Sequence, residues 1–148
     1  RTYELESELR AVREVVPLSR FGGIHFLPMA AAFDAGPKSS STFAKLVARL
    51  RTETRPERRP YEAVDWHRPD FSMVCLYSGG DHEEPRMQPE GSTTFLGYED
   101  PLQRGVVGYF DVEEVDPPGE GLPPHESALD LNEAVERMAQ KFRSTFDF

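Results

Sequence analysis

The chain has little that would brace or anchor it from outside its own core. Its single cysteine, Cys75, leaves no internal disulfide, and no Cys/His spacing typical of a structural zinc site occurs. No apolar run approaches the ~20 residues of a membrane helix. No charged-then-apolar leader opens the chain either, so a soluble, cytoplasmic protein is expected. Hydrophobic residues make up only 38% of the chain, yet the 11% aromatic share argues against disorder. Positive charge is also scarce: 17 Lys and Arg face 26 Asp and Glu, a net charge of −9. Most of such a surface repels a phosphate backbone, which disfavours nucleic acid as a partner. No serine or cysteine sits in a recognisable nucleophile setting.

Proline is in excess, 13 residues of 148 where about 5% is usual. Several fixed loops are therefore expected within a single domain, 1–148, long enough to close a real core. Because the sequence starts at Arg1 rather than Met, a segment of a longer protein is the expectation. Charge is spread unevenly. Lys38 to Arg68 holds eight basic and four acidic residues, whereas Asp81 to Phe148 holds five basic and sixteen acidic ones. This polarity suggests a partner surface, although a solvated face also produces it.

The stretch Asp70–Ser78 organises the remainder. As a strand it sends Phe71, Met73, Cys75 and Tyr77 to one face and Val74 and Leu76 to the other. Both faces are apolar, which suits a central strand covered on both sides. Pro69 and Gly79-Gly80 punctuate its ends. Cys75 falls inside this run, where a structural role fits better than a reactive thiol.

Tyr3 to Val16 reads as a helix, with Leu5, Leu9, Val12 and Val16 on the apolar stripe and Arg10 and Arg13 among its wet residues. Phe21 to Phe33 is strand-like, with Pro28 requiring an edge or bulge and Ala30-Ala31-Ala32 equally suited to a helical turn. A second helix places Phe43, Leu46, Val47 and Leu50 on one stripe after a loop rich in N-cap candidates. Ser92 to Tyr98 and Gly105 to Val115 alternate as strands. With no helical pattern between them and the central run, an antiparallel meander is the economical arrangement. Residues 116–126 are a proline-rich connector. Asp130 and Glu133 have capping-box spacing, and the helix they open carries Leu131, Val135, Met138, Phe142 and Phe146 as a stripe that should pack on the sheet.

The opening of the first strand, Pro17-Leu-Ser-Arg-Phe-Gly-Gly-Ile-His-Phe26, resembles that of bacterial proteins of the ferredoxin-like, dimeric α/β-barrel kind. The likeness covers these ten residues and departs at Leu27-Pro28, where those proteins continue with a small residue and Arg. It implies a fold and carries over no active-site residue. The expectation is an α+β domain: a mostly antiparallel sheet of about four strands covered by helices, ferredoxin-like.

Several side chains are candidates for chemistry. Ser78-Gly-Gly-Asp81 resembles the Ser-Gly-Gly-x-Asp-Ser loop of ATP pyrophosphatases. It is one residue short, lacks the final Ser and runs into a proline-broken segment, so a plain turn accounts for it. Asp81, His82, Glu83 and Glu84 are weak candidates for metal ligands. His67 and Asp70, at the other end of the central strand, lie roughly 25 Å away and cannot share their ion. His25 and His67 are the weak catalytic candidates, as acid/base groups beside a sheet-face pocket. A core-bonded histidine is the plainer account of His25. Arg49, Arg51, Arg55, Arg58, Arg59 and Arg68, with Trp66, form the candidate partner-binding cluster, since Trp and Arg anchor interfaces.

These readings favour a noncatalytic protein-binding or assembly module, with a protein partner or self-association and no cofactor. The alternative is a small-ligand enzyme of the α/β-barrel type with a histidine in a sheet-face pocket. A further alternative is nucleic-acid binding through the patch from Arg49 to Arg68.

Overall fold

The apolar run after Asp70 is the middle strand of the sheet, buried along almost its whole length. Met73, Val74, Cys75 and Leu76 are each at most 1% exposed. A computed structural model of the chain describes residues 2–16, 19–54, 67–78 and 105–144. Their order is α1 (Thr2–Val15), β1 (Gly22–Pro28), a 3-10 turn (Met29–Ala32), α2 (Thr42–Glu53), β2 (Phe71–Ser78), β3 (Gly105–Asp111), a second 3-10 turn (His125–Ser127) and α3 (Leu131–Ser144). The architecture is α+β, and no helix among these residues is long and apolar enough to cross a membrane.

The sheet order is β1-β2-β3, with β2 antiparallel to β3 but parallel to β1. This corrects the expected mostly antiparallel sheet of about four strands: three strands are described, and they form a mixed sheet. The reason lies between β1 and β2, where helix α2 carries the chain back over the sheet and so delivers the next strand in the same direction. β1 and β2 are also direct neighbours, whereas the split unit of the ferredoxin-like arrangement places a strand between them. The expected strand at residues 92–98 lies outside the described residues.

Each face of β2 meets a helix. On one side Val74 and Leu76 join Phe110, Val107 and the α2 residues Phe43, Val47 and Leu50. Phe43 and Phe110 meet edge to face with ring centres 5.5 Å apart. The start of α2 is capped twice: Ser41 Oγ accepts from the Ala44 N–H, and Asp34 accepts from Thr42, satisfying donors that a helix start leaves open. On the other side Met73, Cys75 and Tyr109 pack with Ala134, Met138 and Ile24. The capping box at α3 forms as its spacing implies, with Asp130 Oδ1 accepting from Glu133 N at 2.8 Å and Glu133 reaching back to Asp130 N.

Two helix faces differ from expectation. In α1 Val12, and just past its end Val16, are exposed while Arg13 is fully buried. Its guanidinium pairs with Asp70 at 2.5 Å, donates to the carbonyls of Ser19 and Arg68, and lies 5.1 Å over the Phe21 ring. The same Asp70 carboxylate accepts from Phe21 N at 2.8 Å. One buried ion pair thus ties α1 to the entries of β1 and β2. In α3 the stripe settles on the sheet only through Met138: Leu131, Val135 and Phe142 stay exposed while Ala134 is fully buried, and Phe146 lies outside the described residues. Lys141, bonded to Asp111 and Glu113, and Arg137, paired with Glu114, hold the helix at this rotation.

Candidate functional site

His25 and His67 come from distant parts of the chain and meet in one cleft. Leu5, Glu6 and Leu9 of α1, Leu50 and Glu53 of α2, and Pro69 complete its lining. His25 reaches it because β1 alternates. Its partner across the ladder is Val74, whose side chain lies on the α2 side of the sheet. His67 reaches it because the Arg13–Asp70 pair fixes the backbone just before β2.

Burial pushes the His25 pKa below its usual 6.5, and nearby Arg49 adds to this while Glu53 opposes it. At neutral pH His25 is therefore an uncharged donor and acceptor. The cleft offers about 20 Å³ for solvent, the room of about one water molecule. A more open recess beside it is lined by Glu6, Thr52, Glu53, His67 and Arg68. Among the described residues no group of three or more His, Cys, Asp or Glu is placed to hold a metal ion. The metal candidates Asp81, His82, Glu83 and Glu84 lie outside the described residues. Cys75 is fully buried, and burial raises its thiol pKa, the opposite of what a nucleophile needs.

The described members of the basic cluster are each engaged within the chain. Arg51 donates to the carbonyls of Val112 and Val115 after β3, Arg68 donates to the Thr52 carbonyl at the end of α2, and Arg49 pairs with Glu53 one turn away. Arg55, Arg58, Arg59 and Trp66 lie outside the described residues.

A second feature stands at the outer edge of β1; the sequence reading placed this strand at an edge or bulge but gave the edge no role. Both the N–H and the C=O of Phe21 bond to Asp70, so by alternation Gly23, His25 and Leu27 turn their backbone groups toward β2. Gly22, Ile24 and Phe26 then point theirs away from the sheet. Nothing among the described residues bonds to those outward groups. The strand carries no Lys, Arg, Asp or Glu, and Phe26 is 61% exposed. Further apolar exposure follows across the sheet at Tyr77 and its partner Val106. The signal in the sequence was Pro28: a proline closing a strand implies an edge. No family model, curated protein or solved structure matches the chain.

Proposed function

We propose that this chain is a noncatalytic binding module that engages protein partners by strand pairing along β1. The observation that carries the reading is the bare outer edge of that strand. Edges of this kind are normally guarded by charge, a bulge or a covering element, because unpaired N–H and C=O groups recruit another strand. Among the described residues the guard is Pro28 at the very end, and the exposed Phe26 stands two residues before it. Strand addition takes its affinity from main-chain hydrogen bonds and its selectivity from alternate side chains. The basic cluster is the weaker route, since Arg51 and Arg68 already serve carbonyls of this chain. The two-histidine cleft favours the enzyme reading by convergence alone, and its size opposes it.

The test is to pan a displayed library of short extended peptides on the protein, counter-selecting with Phe26→Lys. Phe26 is exposed, so the variant should keep the fold, while a charge at the edge blocks pairing. Enrichment of alternating apolar peptides that lose at least tenfold in binding to the variant is expected. No enrichment over background, or peptides indifferent to Phe26→Lys, would refute the reading.

A further inference from the structure

The edge-binding reading leaves the partner open, and the pattern of β1 narrows it. Its outward groups are a donor and an acceptor each from Gly22, Ile24 and Phe26; Pro28 has no N–H, and as N-cap of the 3-10 turn its carbonyl takes the first bond of that turn. An antiparallel partner that overlaps the strand completely must place its own residues against these in reverse order. β1 itself does so. Turned about a two-fold axis through His25, it sets Ile24 opposite Phe26 of the other copy, and Gly22 opposite Pro28 of the other copy. The first pairing exchanges both N–H···O=C bonds in each half. The second calls on no donor from Pro28, whose carbonyl serves the 3-10 turn, so the register rests on the four bonds that Ile24 and Phe26 exchange in the two halves.

The side chains agree with this register. On the α3 side of the sheet the facing pairs are Ile24 with Phe26, so the 61% exposed Phe26 ring gains an apolar neighbour. On the α2 side Gly23 faces Leu27 of the other copy, which leaves room for the leucine. No like charges meet, because the strand has none. His25 lies on the axis in a non-hydrogen-bonded pair, where opposing Cα atoms approach to about 4.5 Å.

We propose that the partner is a second copy of this chain, joined β1 to β1 antiparallel about His25, so that the two three-stranded sheets become one of six strands. This rests on the edge-binding reading and specifies its occupant. An isologous contact of this kind closes on itself and stops at two copies. The contact is one strand wide, well below the size of a standard interface, so the dimer should be weak and concentration-dependent.

Sedimentation equilibrium from about 1 to 300 µM spans the range for such a contact and should show monomer passing to dimer. Hydrogen exchange at the Ile24 and Phe26 amides should slow at least tenfold at the high end, while Gly23, His25 and Leu27, already bonded to β2, change little. His25→Cys places a thiol on the axis, and the chain's own Cys75 is buried. Mild oxidation should link this variant into a covalent dimer, which Lys45→Cys, on α2, should not form. A protein monomeric throughout, with no His25→Cys cross-link above the Lys45→Cys control, overturns the proposal. So does a dimer whose Ile24 and Phe26 amides exchange freely, since that dimer is built elsewhere. If edge-binding peptides are selected while the protein stays monomeric, the second-copy inference falls and the strand-pairing function stands.

Discussion

The Arg13–Asp70 pair offers the sharpest test of how this fold is held. Both side chains are almost wholly shielded, at 0% and 2% exposure, and 2.5 Å apart. Replacing Arg13 by Met strands the Asp70 carboxylate beside the Phe21 N–H, while Asp70→Asn strands a guanidinium. Removing one member of a buried pair costs about 3–5 kcal/mol, because the other charge stays out of water. For a domain holding roughly 5–15 kcal/mol in all, that is a large share. With a urea slope of about 2 kcal/mol/M, each single change should lower the unfolding midpoint by about 1.5–2.5 M. The double variant removes both charges and keeps an amide oxygen for Phe21 N, so it should lie well above the sum of the two losses, with a coupling of about 2–3 kcal/mol. Arg10→Met is the control: Arg10 is 69% exposed in its pair with Glu14, so its loss should stay within about 0.5 kcal/mol. Urea titrations followed by circular dichroism measure all four. Additive single losses, or singles no worse than Arg10→Met, would refute the account of α1 as latched through this pair.

Two further outcomes follow from the electrostatics. Burial lowers the His25 pKa below 6.5, so on acidification the unfolded chain takes its proton first. Stability is then complete above pH 6.5 and falls as pH drops from there through the folded-state value. Urea midpoints between pH 7.5 and pH 5 should fall less in His25→Gln than in the parent, and equal slopes would refute this. For Lys141, burial alone would lower the pKa, but its bonds to Asp111 and Glu113 outweigh this and raise it above 10.5. Its contribution is therefore full below pH 10.5 and lost as pH rises through the folded value. Lys141→Met leaves Asp111 with Arg137 at 3.6 Å, and should cost about 1.5–3 kcal/mol at neutral pH; a loss under 0.5 kcal/mol would show that Arg137 suffices.

What could be read in advance was local. The double-sided apolar run from Phe71, the stripe of α2 and the Asp130–Glu133 box need only neighbouring residues to be recognised, and each stands where its pattern put it. What escaped notice depends on contacts far apart in sequence. The α1 periodicity fits Leu5, Leu9 and Val12 as well as Leu5, Leu9 and Arg13, and the choice is made by Asp70, 57 residues away. The α3 stripe faces half outward because Lys141 and Arg137 answer acids at the end of β3, and no count of apolar residues contains that pull. Of the candidate site, His25 and His67 were each named as single candidates, and nothing in the sequence said that they line one cleft. Glu6 and Glu53 were not named, since single acids on solvated helices carry no mark of where they point.

The direction of β1 links these observations. With α2 between them β1 and β2 run parallel, and in the order β1-β2-β3 no described strand lies on the outer side of β1. The same alternation that turns His25 toward the α2 side turns Phe26 to the α3 side. There α3 packs through Ala134 and Met138 over Cys75 and Tyr109, the rows of β2 and β3, and does not reach Phe26. The exposure of Phe26 is thus a consequence of topology and helix placement together. The molecule keeps an uncharged, hydrogen-bond-hungry edge beside an uncovered aromatic ring, and a strand that brings both backbone and apolar side chains satisfies the two at once.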